Sequence, residues 1–309
     1  MGHKDNMTEV RTKSAKRAGV ITIILALCLV GVKAVAWAMS GSVSVLASLS
    51  DSVMDAVVSG MNWLAVRYSS KPADEDHRYG HGKIEGLAAL AQALLLAGVS
   101  IFVGIEAIHR WQEPQALTDM VLVTGMMIVS LIGSAIIIMV QKKSIAESGS
   151  LAIEADHAHY SADVVQHALV IAALCIAYFD GPLWVDLLAA VIITLWMLMS
   201  AYGIARKGID MILDRELPMV ERKALLEVIK AHPQVLGVHD LRAIKSGMKE
   251  LIFFDIEAAP EMSLHDAHAI TRDLENAILK IYPYAEIMIH VDPHGEIEDS
   301  RHTVASIHH

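Results

Sequence analysis

Apolar residues gather into six long runs separated by short polar connections, near residues 18 to 40, 43 to 66, 84 to 108, 118 to 140, 151 to 178 and 183 to 205. A helix of about twenty apolar residues crosses roughly 30 Å of hydrocarbon, so the pattern predicts six transmembrane helices. The first run is too long for a cleavable leader and lacks its small-residue cleavage pattern, so it is expected to stay in the bilayer. After Arg206 the runs end and charges recur every few residues. Here Val220, Leu225, Leu226 and Ile229 show helical spacing around Glu221 to His232, and Val235 to Ile244 reads as a strand followed by a Ser246-Gly247 turn. Leu251 to Glu257 reads as a second strand, ended by Pro260. Ser263-Leu264-His265-Asp266 resembles a capping box opening a helix to about Tyr282, and Glu286 to Val291 alternates as a last strand. The order αββαβ predicts a compact α+β domain of the ferredoxin-like type. The expected organisation is an N-terminal segment over 1–17, a membrane domain over 18–207, a connector over 208–214, the α+β domain over 215–294 and a flexible tail over 295–309.

Lys and Arg in the connections orient the bundle. One side would hold Lys4, Arg11, Lys13, Lys16, Arg17, Arg67, Lys71, Arg78, Lys83, Lys142, Lys143, Arg206 and Lys207. The other holds the Ser40-Gly41-Ser42 turn, Arg110 and the Asp180-Gly181-Pro182 turn. Thirteen against one places both termini in the cytoplasm with an even number of spans.

Composition agrees: hydrophobic residues make up 54% of the 309 and charged residues 19%, with a mean hydropathy of +0.44. A soluble protein could not bury that much apolar surface. The net charge of −10 argues against a nucleic-acid partner. Cys28 and Cys175 each lie in an apolar run and carry neither a disulfide framework nor a CxxC pair.

The informative residues are those that oppose insertion. Asp51 and Asp55 stand four apart in the second span, on one helix face. A central Asp costs about 2.5 to 3.5 kcal/mol. Ser44, Ser48, Ser59 and Asn62 extend the stripe, which reads as the wall of a hydrated cavity. The fifth span repeats the arrangement with His159 and Asp163, and Asp156 and His167 extend that face as cavity-lining groups. Three carboxylates and one imidazole suit tetrahedral Zn²⁺ or a similar divalent transition metal. The plainer alternative is helix packing or a proton relay without metal. Lys33, inside the first span, lines the cavity or pairs with an acid across the bundle.

The two pairs, the six spans, the loop Arg78-Tyr79-Gly80-His81-Gly82-Lys83-Ile84-Glu85 and a His-bearing C-terminal domain together resemble the cation diffusion facilitator family. The likeness runs from about Lys16 to His294. It implies a homodimeric exporter in the bacterial inner membrane that exchanges cytoplasmic Zn²⁺ for protons. The fold implied is six transmembrane helices plus a ferredoxin-like domain that contributes to dimerisation.

The resemblance also assigns residues that spacing alone leaves open. Asp74, His77 and His81 sit in a charged connection that would ordinarily be solvated; in the family the matching residues form a loop zinc site. The last third holds nine of the sixteen histidines, and His290 and Asp292 face one side of a strand. The family's two-zinc site matches His239, Asp255, His268, His290 and Asp292. Relatives carry a bridging histidine where this chain has Asp255, and His265 is an alternative ligand. His232, His308 and His309 read as surface residues. Lys83 and Asp214 match an ion-pair network coupling the two domains; the ordinary reading is a positive-inside lysine and a solvated aspartate.

Zn²⁺ and protons would compete for Asp51, Asp55, His159 and Asp163, which couples their movements. A membrane metalloenzyme would need a nucleophile or a His-Glu-x-x-His helix, and neither occurs. A metal-gated channel would need weaker binding than four converging ligands give. One nitrogen ligand disfavours Mg²⁺ and weakens Mn²⁺, leaving Zn²⁺ first, with Cd²⁺, Fe²⁺, Co²⁺ or Mn²⁺ as alternatives.

Overall fold

The computed structural model describes residues 2–40, 43–112, 120–178 and 184–295. The expected turns at Ser40-Gly41-Ser42 and Asp180-Gly181-Pro182 and the tail beyond Gly295 fall wholly or mostly outside the described residues. The chain divides into two units: Arg11–Ile212 forms one, and Met1–Val10 together with Leu213–His309 forms the other.

The first unit is helical. It is built from α1 (Gly2–Ser40) from Arg11 onward, α2 (Val43–Ser69), α3 (Ile84–Gln112), α4 (Met120–Ser148), α5 (Leu151–Tyr178) and α6 (Trp184–Ile212). The α1 helix begins well before the apolar run, because Lys, Arg, Glu and Met in the N-terminal segment are good helix formers. Among the described residues, four helices contain stretches long and apolar enough to cross a membrane: Arg11–Met39, Ile84–His109, Thr124–Ser148 and Ala190–Ile212. Helices α2 and α5, of 27 and 28 residues, fall outside that set. They are the two that carry the candidate ligands.

Small residues set the packing. A Cβ added at Gly208 would stand 2.8 Å from Gly86 O, and one at Gly86 would stand 3.0 Å from Gly208 O. The backbones of α3 and α6 therefore approach as closely as small-residue membrane interfaces allow. Alongside lie Ala89, Ala93, Leu151, Ala155, Ile204 and Met211, with Leu96, Ala162, Ile193, Met197 and Ala201 in an adjoining cluster.

The second unit runs α7 (Met219–Lys230), β1 (Gly237–Ser246), β2 (Lys249–Ala258), α8 (Leu264–Ile281) and β3 (Glu286–Pro293). This is the αββαβ order expected. The sheet order is β1-β2-β3, antiparallel between β1 and β2 and parallel between β2 and β3. Along β2, Ile252, Phe254, Ile256 and Ala258 are buried while Phe253, Asp255 and Glu257 are only partly covered. That alternation separates a core face from an open face. Leu225 and Ile229 of α7 and Ile270, Leu274 and Ile278 of α8 complete the core. Ser263 caps α8, accepting from Asp266 N–H at 3.2 Å. β1 starts and ends two residues later than its apolar run, since Val235 N–H turns back to His232 O and the ladder continues to Ser246 and Lys249. The turn falls at Gly247, whose φ of +63° suits glycine.

Candidate metal centres

Within the helical unit, α2 and α5 bring Asp55, His159 and Asp163 together, with one ligand atom from each inside 4.8 Å of the others. His159 Nε2 lies 2.9 Å from Asp55 Oδ1 and 3.7 Å from Asp163 Oδ2. Asp163 Oδ2 is buried with no hydrogen-bond partner. A free carboxylate oxygen beside an imidazole and a second carboxylate is the donor chemistry a divalent transition metal requires. Asp51, one turn from Asp55, stands outside this trio and is exposed. It remains within electrostatic range of Asp55, His159 and Lys33.

Asp156 does not join the trio. It is 2% exposed and accepts hydrogen bonds from Ser59 Oγ at 3.2 Å, Asn62 Nδ2 at 3.1 Å and Gln141 Nε2 at 2.6 Å. Ser59 Oγ also lies 3.0 Å from Tyr160 OH, Asn62 Nδ2 donates to Gln92 Oε1, and Gln141 Nε2 reaches Thr22 Oγ1 at 3.4 Å. One buried network thus ties α1 through α5 together beside the trio. Gln92, Gln141 and Tyr160 were not anticipated; isolated glutamines in apolar spans were the available signal. Glu85, fully buried, accepts from Ser69 Oγ at 2.7 Å, Ser150 Oγ at 2.6 Å and Ala152 N–H at 3.4 Å, joining the end of α2 to the start of α5.

The connection after α2 folds around Asp74. Its Oδ1 accepts from the backbone N–H groups of Asp76 at 3.1 Å and His77 at 2.7 Å and lies 3.1 Å from His77 Nδ1. Its Oδ2 lies 3.2 Å from His81 Nε2. The His77 amide above all holds the Asp74 carboxyl below the usual carboxylate range. Gly80, with φ of +81°, makes the turn that returns His81 to Asp74. His81 is buried edge-on against Tyr68 at 4.9 Å, while Asp74 and His77 are exposed. These three form a second ligand cluster.

The third lies on the open face of the sheet. His239, Asp255 and Asp292 come from β1, β2 and β3. His239 Nδ1 lies 3.7 Å from Asp255 Oδ2, and His239 Nε2 lies 3.5 Å from Asp292 Oδ2. Asp292 Oδ2 is buried without a hydrogen-bond partner. A bulge between His239 and Arg242, with Asp240 at φ +50°, shifts the register of the β1–β2 ladder at this point. Burial first, then repulsion from Asp292 and Asp240, outweighs the pull of His239 and His290 and raises the Asp255 carboxyl above its ordinary value. His290 is largely exposed and pairs with Asp292 Oδ1 at 2.8 Å. His265 and His268, exposed on α8, lie outside the cluster. Glu257, absent from the expected set, reaches His239 Nε2 at 3.9 Å and His294 Nδ1 at 2.6 Å. Its place two residues after Asp255 on a strand was the signal. Lys83 and Asp214 are both exposed, and each has interaction partners of its own.

Residues 19–213 match the model of the cation efflux transmembrane domain, and residues 217–294 that of the cation efflux protein cytoplasmic domain. The chain belongs to the cation efflux family, the cation diffusion facilitators. Cation-efflux pumps named FieF from Yersinia pestis (strain Pestoides F) and Yersinia pseudotuberculosis (serotype O:3, strain YPIII) are 36% identical over 287 residues, covering 93% of this chain and 95% of theirs. Among solved structures, the metal-bound C-terminal domain of the CzcD transporter from Thermotoga maritima is 31% identical, spans 26% of this chain and all of that one, and gives a TM-score of 0.25. The zinc form of a putative zinc transporter, CzrB, is 28% identical over 28% of this chain and 99% of that one, also with a TM-score of 0.25. As a member of this family the chain is a cation efflux transporter with a membrane domain and a cytoplasmic domain.

Proposed function

We propose that the protein is a Zn²⁺/H⁺ antiporter that exports Zn²⁺ from the cytoplasm by alternating access. The observation that carries the reading is the Asp55, His159 and Asp163 trio with its unpartnered Asp163 oxygen. Asp51, on the adjoining turn of α2, is the fourth ligand in this reading. Metal binds only when the carboxylates are ionised and the imidazole is neutral. Loading from the cytoplasm therefore releases protons, and protons arriving from outside expel the metal. Asp51, Asp55, His159 and Asp163 bind and release both cargoes in turn, while the Asp156 network holds the helices that present them. In this reading α2 and α5 complete six spans, with both termini cytoplasmic in a bacterial inner membrane.

The cytoplasmic unit acts as a metal-sensing dimerisation domain through His239, Asp255, His290 and Asp292, with His268 and His265 reserved for a rearranged or dimeric state. Asp74, His77 and His81 form an accessible loop site, and Lys83 and Asp214 couple the domains. Fe²⁺ is the second substrate reading, favoured by the 36% identity to pumps named FieF, and Cd²⁺ and Co²⁺ satisfy the same donor set. The test is proton-driven Zn²⁺ uptake by proteoliposomes, with each other ion as competitor. Uptake that is independent of the proton gradient, or unaltered in Asp163→Ala, overturns the reading.

A further inference from the structure

Lys33 lies in the apolar stretch of α1 and is 2% exposed. Its Nζ donates to the backbone carbonyl of Ser48 at 3.1 Å and to Ser52 Oγ at 2.6 Å. Ser48, Asp51, Ser52 and Asp55 follow one another at helical spacing, so the ammonium docks on the stripe of α2 that carries the candidate ligands. Asp51, Asp55 and Asp163 all act on it electrostatically, and His167 feels its charge in turn. A buried ammonium needs both hydrogen bonds and a counter-charge. Here the two oxygens of α2 supply the first and the carboxylates of α2 and α5 the second.

We propose that Lys33 is a resident cation of the transport site, which substitutes for cargo charge when the site is empty and makes a divalent ion the charge-matched occupant. The proposal rests on the reading that Asp51, Asp55, His159 and Asp163 carry the metal. Three carboxylates and a neutral imidazole around a divalent ion leave one negative charge, and the ammonium cancels it. A monovalent or trivalent ion in the same place would leave net charge in a low-dielectric setting, which is costly. The ammonium also repels the metal it accompanies. That repulsion loosens the cargo, and a carrier must release what it binds within each cycle. Lys33 is thus a positioning residue that acts through the carboxylates and makes no bond to the metal.

The experiment compares Lys33→Gln, which keeps a hydrogen-bond donor and removes the charge, with Lys33→Met, which removes both. Initial Zn²⁺ fluxes are measured in proteoliposomes driven by the Zn²⁺ gradient alone, at mildly alkaline pH on both faces, where protons compete least. Both variants are expected to lower KM for Zn²⁺ about tenfold and the maximal rate by a similar factor. An unchanged or higher KM in Lys33→Gln overturns the proposal. So does a Lys33→Gln that matches the wild type while Lys33→Met fails, since the residue would then be a hydrogen-bonding spacer. Asp55→Asn is assayed alongside. If that variant transports normally, the transport-site reading has failed; if it is inactive while Lys33→Gln keeps its KM, only the role of Lys33 has failed.

Discussion

His159 Nε2 lies 2.9 Å from Asp55 Oδ1, so the one nitrogen donor of the trio joins α5 directly to α2. Any ion held there bridges two helices, and a relative movement of α2 against α5 alters its coordination. Removing the Asp55 carboxylate deletes both a proposed ligand and the hydrogen-bond partner of His159. Asp55→Asn is expected to lower Zn²⁺ transport at limiting metal by about 100-fold or more, since even outer partners of metal ligands contribute 10- to 100-fold. Flux measurements in proteoliposomes check this, with elution as a folded dimer as the control.

Asp156 makes a different prediction, because it is fixed by hydrogen bonds and stands outside the ligand trio. Asp156→Ala would remove the acceptor that Ser59, Asn62 and Gln141 share, leaving Asn62 with Gln92 Oε1, Ser59 with Tyr160 OH and Gln141 with only the 3.4 Å contact to Thr22 Oγ1. An unsatisfied buried donor costs about 1 to 3 kcal/mol, so the expected outcome is a clear fall in the melting temperature of the detergent-solubilised protein. Asp156→Asn retains one acceptor oxygen and should fall less. Equal melting curves for the wild type and Asp156→Ala would remove the network's structural role.

The close approach of α3 and α6 is testable without reference to metal. A methyl group at Gly208 would stand 2.8 Å from Gly86 O and 3.2 Å from Leu90 N, both backbone atoms that cannot swing aside. Gly208→Ala must separate the helices and is expected to destabilise the membrane unit by about 1 to 3 kcal/mol. Gly98→Ala, at a position with nothing within 4 Å, serves as the neutral control. Thermal unfolding in detergent separates the two.

What could be read from the chain was whatever depends on local period. The Asp51, Asp55, Ser59 and Asn62 stripe, the Ser263 cap and the alternation of β2 are properties of neighbours in sequence, and a periodicity of 3.6 or 2 exposes them. The partners of Asp156 were hidden because Gln92 and Gln141 come from other helices. Which glutamine faces which carboxylate depends on how far α3, α4 and α5 can approach, a matter of small residues and helix crossing. Glu257 shows the same limit in the sheet. Its face follows from counting along β2, but its nearness to His239 and His294 follows from the register with β1 and from the chain's path after β3.

Asp255 links metal binding to stability with opposite signs, which makes it the sharpest probe of the cytoplasmic unit. Its carboxyl is raised above the ordinary value by partial burial, reinforced by Asp292 and Asp240. A raised acid favours the folded state below its unfolded pKa, and that contribution is lost as pH rises through the folded pKa. At neutral pH without metal, the ionised Asp255 is therefore a local cost, and Asp255→Asn is expected to raise the melting temperature of the chelated protein slightly. With metal the sign reverses, because a cation beside His239, Asp255 and Asp292 offsets the repulsion that the carboxylates suffer alone. Asp255→Asn should then weaken metal binding by roughly 10- to 100-fold, and the stabilisation that the wild type gains from metal should shrink accordingly. Melting curves recorded with chelator and across a Zn²⁺ titration measure both effects in one preparation. A variant less stable than the wild type in chelator would show that Asp255 is not strained by its acidic neighbours, and one equally stabilised by Zn²⁺ would show that it is not a ligand.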